Sequence, residues 1–434
     1  MPARRDTRTD DFTRYFSAAV AKRRQKAVNV DKVVLRILDD VRTRGDAAVA
    51  KYTRRFDRST LVPAQFRVSA REVDAAIAAC DADTLDALEF AARRISDFHR
   101  LQMPDDLDYT DDAGVRLGYR WTAVAAAGLY VPGGTAAYPS SVLMNAIPAR
   151  VAGVPRLVMV VPAPDGDVSP LVLAAARTAG IDEIFRIGGA QAIGALAFGT
   201  ETIEPVDKIV GPGNAYVAAA KRHVFGTVGI DTIAGPSEVL VVADNRNDPS
   251  WIAIDLLAQA EHDVAAQSLL ITDDGDFADA VCAEVVHQLA TLSRRETAAQ
   301  SWEANGCVVV VEDLAEAPAL IDLVAPEHLQ LAIENPDDLA ARVRNAGAIF
   351  LGRFTPEAIG DYVAGPNHVL PTERAARFAS GLSVLDFVKR STMIGCGPGS
   401  LSAIGPAAIT LAEAEGLGAH ARSIALRLNR RRGS

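Results

Sequence analysis

Along the chain, apolar positions first recur at helical spacing and later fall into short β-branched runs. From about Asp31 to Ile95 the recurrence of Val33, Val34, Ile37, Leu38 and Val41 predicts a helical lead-in whose first segment ends at Gly45. Beyond Trp121 the runs LVMVVPAP, EIFRIGG and KIVGPG alternate with the Ala-rich segments SPLVLAAARTAG, AQAIGALAFG and NAYVAAAKRHVFG. That alternation predicts βα units on a parallel sheet. A second series starts at EVLVVAD near Glu238 and passes through a helix from about Pro249 to His262. It continues through SLLITDD, CVVVVED, a helix near Pro326 and AIFLG. The expected fold is α/β, with two three-layer domains in sequence and the helical lead-in joining the second. After Gly381 the pattern is irregular, and a short helix from Ser423 closes a separate helical and extended tail.

Composition agrees with this division. A chain of 434 residues exceeds what one hydrophobic core supports, so more than one domain is expected. With 49% hydrophobic and 23% charged residues the chain has the makeup of a folded enzyme, far from that of a disordered one. A net charge of −10 repels phosphate backbones and argues against nucleic acid as a partner; Arg430, Arg431 and Arg432 read as a solvated tail. Cys80, Cys282, Cys307 and Cys396 are far apart with no C-x-x-C pair, which suggests neither a disulfide framework nor a thiolate zinc site. Arg4, Arg5 and Arg8 are mixed with Asp6, Asp10 and Asp11 and precede no apolar stretch, unlike a signal or transit peptide. No run reaches the roughly 20 apolar residues of a membrane helix. A cytoplasmic enzyme with no membrane contact is expected.

The candidate chemistry lies at strand ends and around histidines. No clean G-x-G-x-x-G is present, but four glycine-rich turns are: VPGG at Val131 to Gly134, IGGAQ at Ile187 to Gln191, GPGN at Gly211 to Asn214 and GPSE at Gly235 to Glu238. Three of them precede helical patterns, where exposed N–H groups favour phosphate or carboxylate. Each also reads as a tight βα turn, and spacing alone names no ligand.

Among the histidines, His99, His223 and His287 have no ligand spacing around them and read as core or surface residues. Gln259 and His262 lie three apart on one predicted helix face and can share a metal. Pro326 is expected to open a helix, with Glu327 and His328 in its first turn, a pair suited to proton transfer. Thr355, Pro356 and Glu357 look like another helix start, with Asp361 near its end as a hard metal ligand and His368 in the loop YVAGPNHVLPT that follows. Glu415 and His420 are five apart; on a straight helix they diverge by about 140°, so a shared site requires a bend at Gly416 or Gly418. One Gln, one Asp and two His would leave zinc positions open, unlike a closed structural site.

The strings LYVPGG, GGAQAIGALAFGT, VGPGN, IAGPSEV, DLLAQAEHD, PEHLQL, GDYVAGPNHVLPT and EAEGLGAH, in this order and at these separations, resemble the histidinol dehydrogenase family over nearly the whole chain. The resemblance implies NAD-dependent four-electron oxidation of L-histidinol through L-histidinal to L-histidine, the last steps of histidine biosynthesis. It implies one Zn²⁺ per subunit on Gln259, His262, Asp361 and His420, with His420 supplied by the other subunit of a homodimer with shared active sites. Glu327 and His328 match the acid/base pair. Ser237, Gln259, His262, His328, Asp361, His368, Glu415 and His420 match residues around the substrate, and Tyr130, Gln191 and Asn214 match contacts to NAD. The fold implied is Rossmann-like, with an incomplete Rossmann domain over 131–238 for NAD. Residues 24–130 plus 239–381 would form the zinc and substrate domain, and 1–23 and 382–434 small dimerisation segments.

Overall fold

The computed structural model describes residues 2–9, 12, 16, 30–133, 138–181 and 183–428. The chain divides into two compact units: residues 1–102 with 125–387, and residues 103–124 with 388–434. The first unit carries two parallel sheets, as the alternating pattern requires.

The first sheet has five strands in the order β6 (Glu183–Phe185), β5 (Arg156–Val160), β4 (Ala126–Tyr130), β7 (Lys208–Val210) and β8 (Gly229–Ile230). The second has six, in the order β1 (Ala3–Asp6), β11 (Cys307–Val310), β10 (Gln267–Thr272), β9 (Glu238–Ala243), β12 (His328–Ala332) and β13 (Ala348–Leu351). Every pair in both sheets is parallel. Strands β4, β9 and β12 are buried at every position, as expected of strands covered on both faces.

Helix α1 (Asp31–Phe56) corrects the expectation that the lead-in joins the second series. Its stripe of Val34, Ile37, Leu38, Val41, Ala48, Val49 and Tyr52 shares a core with Ile193, Leu196 and Val217 of the five-stranded sheet's helices. Helix α3 (Gly189–Phe198) is rich in alanine and carries Gly194 where α1 approaches it. Leu38 and Val41 lie so close to Gly194 that a Cβ there would be 3.3 Å from both. That smooth surface lets α1 approach closely, and Gly45, at φ 50, kinks it where the sequence pattern breaks.

Three more boundaries differ from expectation. Ala126–Tyr130, grouped by sequence with the lead-in, is the central strand of the five-stranded sheet. Ala3–Asp6, expected in a dimerisation segment, extends the six-stranded sheet by pairing with β11 from Ala3↔Cys307 to Asp6↔Val310. Residues 103–124 belong with the tail in the second unit, because β3 (Arg116–Ala123) pairs antiparallel with β14 (Val388–Gly395) over its whole length. In that unit β2 (Leu107–Thr110) completes a three-stranded sheet, and helices α7 (Pro398–Ala414) and α8 (Gly418–Leu428) follow. The terminal helix thus begins before Ser423. The Arg430 to Arg432 run, Asp10, Asp11 and Gly134 of the VPGG turn lie outside the described residues.

The turn after β7 is fixed from below. Gly211, at φ 110, sits where a Cβ would strike the carbonyl oxygen of Tyr130. Its N–H donates to Asp231 Oδ2 (2.8 Å), and its carbonyl accepts from Lys221 Nζ (2.9 Å). Lys221 and Asp231 are ion-paired with side chains only 2% and 3% exposed. Removing one partner of such a pair strands a buried charge, so Lys221→Met is expected to cost about 3 kcal/mol in urea unfolding. The double variant Lys221→Met/Asp231→Leu should recover most of that loss. Equal stability of Lys221→Met and the parent would show that the pair does not hold the turn.

Candidate functional site

Catalytic candidates gather where the six-stranded sheet's carboxylates and imidazoles are buried together. Pro326 does not open a helix: His328 starts strand β12, and Glu327 precedes it. The alternation in HLQLA fills a central strand between β9 and β13, and this pairing overrides the helix-start signal of the proline. The strand setting fixes both groups. Glu327 Oε2 accepts the N–H of Glu238 at 2.9 Å, while burial, aided by the nearby carboxylates, raises its carboxyl well above the usual range. His328 Nδ1 is 3.0 Å from the carbonyl oxygen of Glu238. A carbonyl only accepts, so Nδ1 carries the proton and Nε2 presents a lone pair. Nε2 is buried without a hydrogen bond among the described residues, and burial lowers the ring's pKa, which favours the neutral imidazole with its Nε2 lone pair open.

Around Nε2 the structure places acidic groups. Glu357 Oε1 is 3.6 Å away, and ligand atoms of His328, Glu357 and Asp361 all lie within 4.8 Å of one another. Glu357 opens the short helix α6 (Glu357–Tyr362), and Asp361 falls one turn later on the same face. Glu357 is 3% exposed, and burial, with Asp361 and Asp255 nearby, pushes its carboxyl well up. Its backbone N–H donates to Gln330 Oε1 (3.2 Å), whose Nε2 donates to Asp255 Oδ2 (2.6 Å). From the sequence Glu357 reads only as a helix start, although its i,i+4 spacing to Asp361 is a signal that marks it as part of the cluster.

The remaining candidates of this unit are distributed as follows. Gln259 ends helix α5 (Pro249–Ala260), 1% exposed, with its Oε1 unpaired among the described residues. His262 lies just past the helix end, in an exposed turn, and not on the helix itself. It still acts electrostatically on both His328 and His368. His368 Nδ1 donates to the Asp361 carbonyl (3.0 Å), with Asp361 Oδ1 3.6 Å away. Its Nε2 is therefore the acceptor and faces the Ser141 hydroxyl on helix α2 (Pro139–Val151) at 3.4 Å, while burial lowers the ring's pKa. Ser237 and Glu327 line a cavity of about 50 Å³ together with Gly211, Pro212, Lys221, Asp231 and Thr372. The turn after β7 therefore meets the catalytic candidates across this cavity.

On the five-stranded sheet, Tyr130 ends β4 and is 3% exposed; its hydroxyl accepts the Gly189 N–H (3.1 Å) at the start of α3, and burial pushes its pKa to about 12. Gln191, in the first turn of α3, is 1% exposed, and neither amide atom is hydrogen-bonded among the described residues. Asn214 caps helix α4 (Ala215–Val224), its Oδ1 accepting from Tyr216 and Val217 N–H at 3.0 and 3.2 Å. That role alone accounts for an Asn there, and its amide NH₂ remains for a ligand.

Glu415 and His420 lie in the second unit, both exposed. Glu415 caps α7, Gly416 adopts φ 74, and His420 sits in α8, so the bend their spacing demanded is present. The other histidines fit their structural readings. His99 is fully buried with Nδ1 donating to Ile95 O (2.7 Å), His223 meets Asp31 (3.0 Å), and His287 is exposed.

Gln259 Oε1 is a buried oxygen donor without a hydrogen bond among the described residues, and the carboxylates of Glu357 and Asp361 repel one another. A divalent cation relieves that repulsion, so the residues fit zinc. The orphaned amide of Gln191, at a helix start beyond a strand end, likewise fits a dinucleotide.

Comparison with known proteins agrees with this picture. A family model described as histidinol dehydrogenase matches residues 20–428. The histidinol dehydrogenase of Rhodospirillum rubrum is 65% identical over 431 residues, covering 99% of each chain. That of Agrobacterium fabrum is 62% identical over 419 residues, covering 96% of this chain and 97% of its own. Among solved structures, the crystal structure of histidinol dehydrogenase from Elizabethkingia anophelis superposes with a TM-score of 0.93 at 38% identity, covering 98% of each chain.

Proposed function

The chain belongs to the histidinol dehydrogenase family, and from that premise we propose that it oxidises L-histidinol through L-histidinal to L-histidine with two NAD and one zinc ion per subunit. The observation that carries this reading is the neutral His328, whose unpaired Nε2 faces buried carboxylates across from Glu327. When bound, NAD supplies the hydride acceptor, and zinc, held by Gln259, His262, Asp361 and His420, supplies a redox-inert grip on the imidazole and amine of the substrate.

His328 Nε2 takes the hydroxyl proton as the first hydride leaves; the Glu238 carbonyl keeps the ring in the tautomer this needs. Glu327, whose burial makes it a stronger base than an ordinary carboxylate, takes a proton from the water that hydrates the aldehyde before the second transfer. Ser237, His368 and Glu415 orient the substrate. Tyr130, Gln191 and Asn214 hold NAD, which makes the five-stranded sheet the cofactor layer and the six-stranded sheet the substrate layer.

The enzyme is proposed to work as a homodimer in which the partner's His420 completes each zinc set. Cys80, Cys282 and Cys396 form no disulfide, which agrees with the proposed reducing, cytoplasmic setting. No described helix is long and apolar enough to cross a membrane.

The test is spectrophotometric. Purified protein given L-histidinol should form two NADH per histidinol, and chelation should abolish the rate until zinc is restored. No NADH with histidinol would overturn the activity; a full rate after verified metal removal would overturn the zinc assignment alone.

A further inference from the structure

The end of helix α1 carries polar atoms that the proposed reaction leaves unused. Asp57 Oδ2, Thr53 Oγ1 and Ser59 Oγ are buried with no hydrogen bond among the described residues. Thr53 and Ser59 are 1% and 3% exposed. An unpaired buried acceptor is costly, so such a cluster is expected where a ligand supplies the missing donors.

The chain is held there by an unusual junction. Arg58 and Asp165 both adopt left-handed backbone angles, φ 53 and 59, which side chains other than glycine rarely accept. They are tied to each other: the Arg58 guanidinium donates to both carboxylate oxygens of Asp165 at 3.0 and 3.2 Å. The Asp165 N–H donates to the Asp57 carbonyl (2.9 Å). Asp165 belongs to the turn that follows β5, so this junction fixes Asp57 beside the carboxyl end of that strand. On its other side Asp57 is close enough to Tyr130 for its charge to act on the phenol.

Strand order gives this position a meaning. In the five-stranded sheet β5 lies on one side of β4 and β7 on the other. The turn after β7 shares a cavity with Ser237 and Glu327, so a nicotinamide that meets the catalytic groups lies on the β7 side. A dinucleotide crossing the end of β4 then places its adenosine half on the β5 side, against Asp57. In nucleotide-binding α/β sheets an acid at the end of the second strand bonds a ribose hydroxyl and excludes a phosphate in its place. Here β5 is the second strand, and the acid comes from outside the sheet.

We propose that Asp57 reads the ribose hydroxyls of the adenosine half of the cofactor and selects NAD against its 2′-phosphorylated counterpart. The inference rests on the reading that the five-stranded sheet binds NAD. The carboxylate accepts hydroxyl donors from the sugar, and its charge repels a phosphate dianion placed at the same carbon.

Calorimetric titration of the dimeric enzyme with NAD and with NADP, in the absence of histidinol, tests this. The parent protein is expected to bind NAD about tenfold or more tightly than NADP, and Asp57→Asn to bring the two within about threefold, mainly by tighter NADP binding. An unchanged NAD/NADP ratio in a folded Asp57→Asn variant overturns the inference while leaving the cofactor reading intact. Failure of the parent to bind either dinucleotide overturns both. Should the variant not fold, the parent decides alone: the 2′-deoxy or the 3′-deoxy analogue of NAD must bind about tenfold more weakly than NAD, and equal binding of all three rejects the role.

Discussion

Replacing His328 by asparagine is expected to lower kcat for histidinol by about 10²- to 10⁴-fold, the range that a positioned proton acceptor contributes. Asparagine can still donate to the Glu238 carbonyl, which the imidazole reaches at 3.0 Å, so the strand entry and the Glu327 contact remain satisfied. What disappears is the lone pair at Nε2. The loss should therefore fall on kcat, with NAD affinity unchanged, because Tyr130 and Gln191 sit on the other sheet and depend on Gly189 and α3. Zinc content, measured by emission spectroscopy on the purified variant, should also stay at one per subunit, since the proposed ligands do not include His328. Steady-state rates, calorimetric NAD titration and metal analysis together separate this outcome from a collapsed site. A variant that keeps near-parental kcat with zinc and NAD bound would remove His328 from the proton path and leave Glu357 or Glu327 as the acceptor.

The geometry behind that prediction shows which parts of the sequence carry their own structure. The βα alternation from LVMVV to KIVGPG became a parallel sheet because its strands are buried on both faces and its helices are short and Ala-rich. The turns at strand ends also landed where local chemistry put them, as with the cap that Asn214 places on α4. Signals that compete across distance mislead. Pro326 has the look of a helix start, yet the apolar alternation after it is satisfied by two neighbouring strands far away in the chain. Glu357 has no local sign of chemistry beyond Asp361 one turn on, and only the meeting of α6 with β12 shows that it faces His328. The lead-in packs on α3 because of the small residues there, and no periodicity within α1 names that partner. Residues 103–124 join the tail through a strand pairing that spans some 270 positions, which nothing local to either strand encodes.

Mixing a His262→Ala chain with a His420→Ala chain is expected to restore activity that neither variant shows alone. His262 lies in the unit that also holds Gln259, Asp361, His328 and His368, whereas His420 lies in the other unit on an exposed helix. The helical pair around it leaves large apolar side chains uncovered: Leu411 is 65% exposed, Leu417 44% and Leu426 62%. Exposed apolar surface of that kind is what a subunit contact covers. If each zinc set takes Gln259, His262 and Asp361 from one chain and the partner's His420 from the other, a mixed dimer contains one site with both lesions and one with neither. With random pairing about half of all dimers are mixed, so co-expression should return about a quarter of the parental rate. Differently tagged chains purified in tandem isolate the mixed dimer, which should reach about half the parental rate with one zinc per dimer. A verified mixed dimer with no activity would mean that each site draws His420 from its own chain, since every site would then carry one of the two lesions.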